Sequence, residues 1–194
     1  MKSKPKLFWI LSLACSFALS AKSPEANWRK LLKDHANCVT WVSATVKVEV
    51  SSGGRSMAPI EQKLEALGTI IAGDGLTVLS LTKVDPTATI LSRLRNPGGS
   101  VNVNYTEVLI LMQDGTEVPA KLLLKDTDLD LAFVLPIKDK AENQTKRVFP
   151  HVPRTSSEKP MKPQALDEVV SLGKLGRNLY RQSTLKKGWV NAVI

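Results

Sequence analysis

Apolar and polar positions alternate along much of this chain, and the alternation predicts strands. Val42, Ala44, Val46, Val48 and Val50 interleave with Ser43, Thr45, Lys47 and Glu49. That period of two places one face of Cys38–Val50 in a core and the other toward solvent. Gly68–Ala72 and Leu76–Thr82 flank the turn Gly73-Asp74-Gly75, and the second run ends in the polar corner Thr82-Lys83-Val84-Asp85. Thr106–Met112 and Val118–Lys125 form a second hairpin around Gln113-Asp114-Gly115-Thr116. Asp130–Pro136 is a short buried strand, Glu168–Gly173 another, and an antiparallel pair is expected within 178–194, turning at Lys186-Lys187-Gly188.

Only one segment has helical period. Trp28, Leu31, Leu32 and His35 fall at i, i+3, i+4 and i+7, which predicts an amphipathic helix over Pro24–Ala36. His35 lies on or beside its apolar face and is read as a packing or capping residue. Residues 86–104 show no clean period and contain the turn-rich Asn96-Pro97-Gly98-Gly99-Ser100. Residues 138–165 carry many Lys and Pro without an apolar repeat, which predicts an exposed linker or long loop with His151 in solvent. Many short strands joined by turns, with one early helix, make an all-β barrel or sandwich.

Composition agrees with a globular chain: 194 residues, 43% of them hydrophobic. The first residues are different. Lys2, Lys4 and Lys6 precede the short apolar run Leu7–Leu19, and small residues follow at Ser20 and Ala21. This has the layout of a secretory signal peptide over 1–21 and implies a periplasmic or secreted protein with no stable membrane span after cleavage. Cleavage removes three lysines and no acid, so the net charge falls from +9 to +6. It also removes Cys15 and leaves Cys38 alone, so the exported chain holds no internal disulfide. Cys38 is expected to be a small buried apolar residue.

The basic excess is interleaved with Pro and polar residues and has few aromatics, so it predicts a solvated surface, with no nucleic-acid partner. Two isolated histidines and one mature cysteine give no transition-metal cluster, and no cofactor loop is present. Asp126, Asp128 and Asp130 alternate like a calcium loop but lack its glycine and terminal glutamate, so they are read as a solvated turn. Ser80 and Lys83 spell S-x-x-K, but strand residues three apart face opposite ways, so the motif is set aside.

The order of segments resembles the HtrA (high-temperature-requirement) branch of the trypsin-like serine proteases. "LGTIIAGDGLTVLSLTKVD" is similar to that family's strands leading to the catalytic histidine corner. "TEVLILMQDGTEVPAKLLLKDTDLDLAFVLP" is similar to its hairpin and D-L-A strand. "DEVVSLGKLGRNLYRQSTLKKGWVNAVI" is similar to the opening of its second barrel. The resemblance covers about residues 37–194. It implies a trypsin-like double β-barrel: an N-terminal helix over 22–37, a complete first barrel over 38–137, a Pro/Lys-rich linker or loop over 138–165, and the opening strands of a second barrel over 166–194.

It also implies site residues. Asp130 matches the catalytic aspartate, and Lys83 stands where the histidine belongs. No G-x-S-G-G segment supplies a nucleophile, and Ser100, in a similar-looking Gly-Gly-Ser, comes before Asp130 and is a decoy. A lysine has one titrating nitrogen and an ordinary pKa of about 10.4, so beside a carboxylate it stays a cation and cannot relay protons as imidazole does. A Lys83–Asp130 salt bridge is the favoured expectation, with both side chains facing water as the alternative. The chain is therefore expected to be a pseudoprotease that binds peptides or unfolded protein segments, with homo-oligomers possible in such a family. The alternative expectation is the N-terminal fragment of a longer serine endopeptidase acting on envelope proteins. A β-rich envelope module unrelated to proteases is a third, which a closed barrel over 38–136 would disfavour.

Overall fold

The computed structural model describes residues 24–94, 98–137, 148–153 and 162–193. The proposed signal peptide and most of the Pro/Lys-rich segment lie outside these residues. A helix, α1 (Pro24–His35), leads through a single 3-10 turn into β1 (Val39–Ser52). β1 organises everything that follows. It pairs with β3 (Ile60–Ile70) along one edge and with β5 (Ser100–Leu111) along the other, after a short β2 (Arg55–Ser56) folds back on its end. β3 pairs with β4 (Thr77–Ser80), β4 with β7 (Leu131–Pro136), β7 with β6 (Glu117–Asp126), and β6 with β5. Every pairing is antiparallel, and the circuit β1-β3-β4-β7-β6-β5 returns to β1 as a closed six-stranded barrel.

The alternation seen in the sequence fills that barrel. Val42, Val46, Ile70, Ile110, Ala132 and Val134 are all but sealed from solvent, with Ala44, Val48, Ala66 and Leu79 around them. β-branched side chains suit these inward positions, since they lose little rotamer freedom on a pleated wall. Closing the sheet on itself removes most of the unpaired strand edge; the part that stays open lies between β5 and β6, which pair only at Leu109–Leu111.

Two β-bulges set the detail. On β5 the register slips between Thr45 and Val46 of β1, so Thr45 faces Glu107 while Val46 faces Tyr105. The inward set is therefore Val101, Val103 and Tyr105 before Thr106, then Val108 and Ile110 after it. On β6 the register slips between Leu122 and Leu124. The inward row Val118, Ala120, Leu122 then continues with Lys125, opposite the buried Ala132. An extra residue in one strand turns the following side chains to the other face, and here that turns a lysine toward the interior.

The segment 86–104 is more regular than its sequence suggested. α2 (Thr87–Arg93) occupies its start and packs on β5 through Ile90 and Leu94, and β5 begins at Ser100. Val101, Val103 and Tyr105 alternate with Asn102 and Asn104, so the first half of β5 carries period two by itself, before the phase break at Thr106. Within the Pro-rich stretch, Phe149 is buried; its N–H donates to the Gly73 carbonyl, and Val152 N–H donates to that of Ile70.

After that stretch, β8 (Glu168–Lys174) and β9 (Ser183–Trp189) form a separate two-stranded ribbon. The turn expected at Lys186-Lys187-Gly188 is not there: those residues lie inside β9, paired with Ser171, Val170 and Val169, and the reversal occurs at 176–182. The ribbon is two strands and no barrel among the described residues. It docks on the outer wall of β1 and β3, where Trp41 Nε1 donates to the Leu175 carbonyl at 3.1 Å and Arg181 pairs with Glu65 at 3.3 Å. α1 docks on the same ribbon. The Lys187 ammonium lies 4.7 Å from the Trp28 ring centroid and 5.5 Å from that of Trp189, and pairs with Glu168.

Gly75 gives a direct check of this packing. Its φ is +89°, and a Cβ there would stand 2.6 Å from Pro136 Cγ and 2.9 Å from the Phe149 ring. Gly75→Ala combines a left-handed backbone with a steric clash and should destabilise the protein by about 2 kcal/mol or more in urea unfolding. Gly54→Ala, also at positive φ but in open space, should cost about 1 kcal/mol at most.

Candidate functional site

β4 ends at Ser80, and a single 3-10 turn, Leu81–Lys83, forms the corner. Asp130 reaches the same corner from the turn before β7. There Asp126 Oδ1 accepts the N–H groups of Asp128 and Leu129, and Asp130 takes φ +54°, a left-handed conformation that Asp tolerates better than most residues. The Asp130 carbonyl accepts the Leu81 N–H at 3.0 Å. Its carboxylate is then fully engaged: Ser80 Oγ donates to Oδ2 at 2.6 Å, the Thr82 N–H to Oδ1 at 2.8 Å, and Thr82 Oγ1 lies 3.3 Å from Oδ2. These donors, Ser80 first and the Thr82 amide next, hold the Asp130 carboxyl below its ordinary pKa.

The fold thus brings Lys83 and Asp130 to one corner, but the expected salt bridge does not form. Among the described residues no ion pair joins them. Lys83 is exposed, and its charge is only the last contribution to lowering the Asp130 pKa. The physical reason is competition: Ser80 and Thr82 are fixed in place by the corner itself, whereas a lysine would give up side-chain freedom and hydration to reach the same oxygens. Ser80 of the S-x-x-K motif is the donor to Asp130. Cys38 is 3% exposed, and burial pushes its thiol pKa up. His35 is half-buried; His151 is exposed, with Nδ1 2.9 Å from the Phe149 carbonyl oxygen. Neither histidine bonds to the corner. Ser100 starts β5, well away in sequence and topology from β4 and β7.

A second cluster begins two residues after Lys83. Asp85 is 7% exposed, and four donors meet its carboxylate. The Thr87 N–H and hydroxyl reach Oδ1 at 3.0 and 2.5 Å, and the Tyr105 hydroxyl and Lys125 ammonium reach Oδ2 at 3.0 and 2.5 Å. Lys125 also lies 4.8 Å from the Tyr105 ring centroid. Burial raises the Asp85 pKa, but the bonds from Lys125 and Thr87 outweigh it and leave the carboxyl below its ordinary value. Burial, then the Asp85 charge, pushes the Tyr105 hydroxyl well above its own. No motif announces this cluster: Tyr105 and Lys125 lie 20 and 40 residues from Asp85, and only the bulge on β6 aims Lys125 inward.

The cluster sits where the barrel's backbone ladder fails. β5 and β6 pair only through Leu109–Leu111 with Pro119–Glu117. Beyond that neck the strands diverge and leave a cleft of about 600 Å³ between 103–109 of β5 and 119–125 of β6, with Ile137 at one side. Tyr105 and Lys125 line it, and each is bonded to Asp85. A smaller polar cleft of about 200 Å³ lies by Thr40, Gln113, Pro150 and Lys174. No group of three or more His, Cys, Asp or Glu able to hold a metal occurs among the described residues, and none of their helices is long and apolar enough to cross a membrane. No family model matches the chain, and no curated protein matches it.

The Asp85–Lys125 pair makes a quantitative prediction. Lys125→Met leaves a buried carboxylate unpaired and should destabilise by about 2 kcal/mol, less than a fully buried pair because Lys125 is about a third exposed. Asp85 has a depressed native pKa, so its stabilisation is complete above the unfolded value of about 3.9 and fades as pH falls through the native one. The deficit of Lys125→Met should therefore shrink on acidification below about pH 4, and the double variant Asp85→Asn/Lys125→Met should be more stable than Lys125→Met at pH 7.

Proposed function

We propose that the chain is an exported, trypsin-like serine protease homologue of the HtrA type that does not hydrolyse peptides and acts by binding peptide or unfolded protein segments. One observation carries the reading. A closed antiparallel barrel sets Asp130 at the corner after β4, with its carboxylate held by Ser80 and Thr82, while the residue at the base position is a solvated lysine. A barrel of this form is compatible with the first barrel of that fold.

The chemistry follows from the side chains. A general base needs a free lone pair near neutral pH within reach of the proton it takes. Lys83 is exposed and offers one side-chain nitrogen where an imidazole has two, one to take a proton and one to be held by the carboxylate. Asp130 has no imidazole to orient, and its oxygens are already bonded to its own corner. The signal-like segment 1–21 places the protein in the periplasm or outside the cell in this reading.

The test restores the base. Lys83→His alone should give no hydrolysis of an unfolded substrate such as reduced, alkylated albumin, while the unaltered chain should retain that protein in a pull-down. Turnover from the single substitution, or labelling of the unaltered chain by a serine-directed phosphonate, would instead support the endopeptidase reading.

A further inference from the structure

We infer that the cleft between β5 and β6 is a docking slot for an extended, acidic polypeptide segment, which adds as a strand to the free edge of β5. This rests on the binding role proposed above and gives it a location. β5 is a 12-residue strand paired to β1 along nearly its whole length, but to β6 only at Leu109–Leu111. From Ser100 to Tyr105 its other edge has no strand partner among the described residues. A strand edge left open offers a row of backbone donors and acceptors to an incoming chain.

The two walls of the cleft are unequal. On β6, the bulge at Leu123 and the inward Lys125 break the edge, which are devices that oppose strand addition. On β5, Ser100-Val101-Asn102-Val103-Asn104-Tyr105 has no charge and no proline, and its bulge comes only at Thr106. The ladder is therefore available on the β5 wall alone. The β6 wall contributes a charge instead. Lys121 is exposed, lines the cleft and has no ion pair among the described residues.

These walls select the occupant. Lys125, which lines the cleft, is already paired with Asp85, so side chains pointing inward over Tyr105, Val108 and Leu122 should be uncharged and apolar. A side chain beside Lys121 should be a carboxylate. The acid on the opposite wall, Glu107, is turned toward β1, where the Thr45 hydroxyl lies 3.5 Å from it. The exported chain's net charge of +6 favours the same sign of partner at longer range.

The probe is a capped octapeptide of alternating Val and Glu, compared with its Val/Lys counterpart by calorimetry at low salt. The Val/Glu peptide should bind at least about tenfold more tightly, and Lys121→Glu should reverse the order. N-methylation of one set of alternate residues should abolish binding, and methylation of the other set should not, because only one edge of the peptide faces a ladder. Equal affinity of the two peptides, insensitivity to Lys121→Glu, or the same response to both methylation sets would overturn the slot. If neither peptide binds while reduced, alkylated albumin still does, the slot is wrong and the binding role stands; if neither peptide nor albumin binds, both fall.

Discussion

The carboxylate of Asp85 holds together what the backbone leaves apart. Three elements converge on it: the corner after β4 through its own chain, β5 through Tyr105, and β6 through Lys125, with Thr87 at the start of α2 closing the shell. The barrel's ladders run from β5 through β1, β3, β4 and β7 to β6, and the last seam joins strands of 12 and 10 residues by only three residue pairs. A seam of that length would fray in water. A charged, multiply bonded group in a poorly hydrated place gives stronger and more specific fastening than another apolar contact, provided every partner is present. All four donors are present.

That fastening sits next to the corner where the family resemblance concentrates. Leu81 lies between the two: its N–H donates to the Asp130 carbonyl, and its own carbonyl accepts the N–H of Asp85. One 3-10 turn therefore orients both carboxylates, Asp130 toward the open corner and Asp85 toward the seam. The turn therefore serves the seam as well as the corner, and the seam alone is a physical reason for the chain to hold it in this form. The corner does not depend on residue 83, because the bonds to the Asp130 carboxylate come from Ser80 and Thr82.

Much of the barrel was legible in the sequence, because a half-buried strand declares itself by period two. Val42 to Val50 fill the core as their alternation required. The failures differ in cause. Ser100–Tyr105 of β5 does alternate but reads as one with the turn-rich residues before it, whereas the bulge on β6 shifts phase and left no sign that Lys125 turns inward. The Lys-Lys-Gly of β9 looked like a turn because its polar residues are exposed in a ribbon that shields only one face. The corner was legible in placement, since Asp130 and Lys83 do meet there, but not in bonding: Thr82 and Ser80, one and three residues from Lys83, outcompete it, and no spacing rule ranks such rivals. The Asp85 cluster was invisible, as contacts across 20 and 40 residues must be when no motif links them.

The account turns on whether the bonds to Asp85 outweigh its burial. The most direct measurement is a carbon-detected NMR titration of the Asp85 side-chain carboxyl in the folded protein. A midpoint below the ordinary carboxylate value of about 3.9 is what the account predicts, with a concerted shift of the Tyr105 ring signals as the seam loosens. A midpoint above that value would mean that desolvation wins, that Lys125 does not hold the carboxylate, and that the seam between β5 and β6 is fastened by something else.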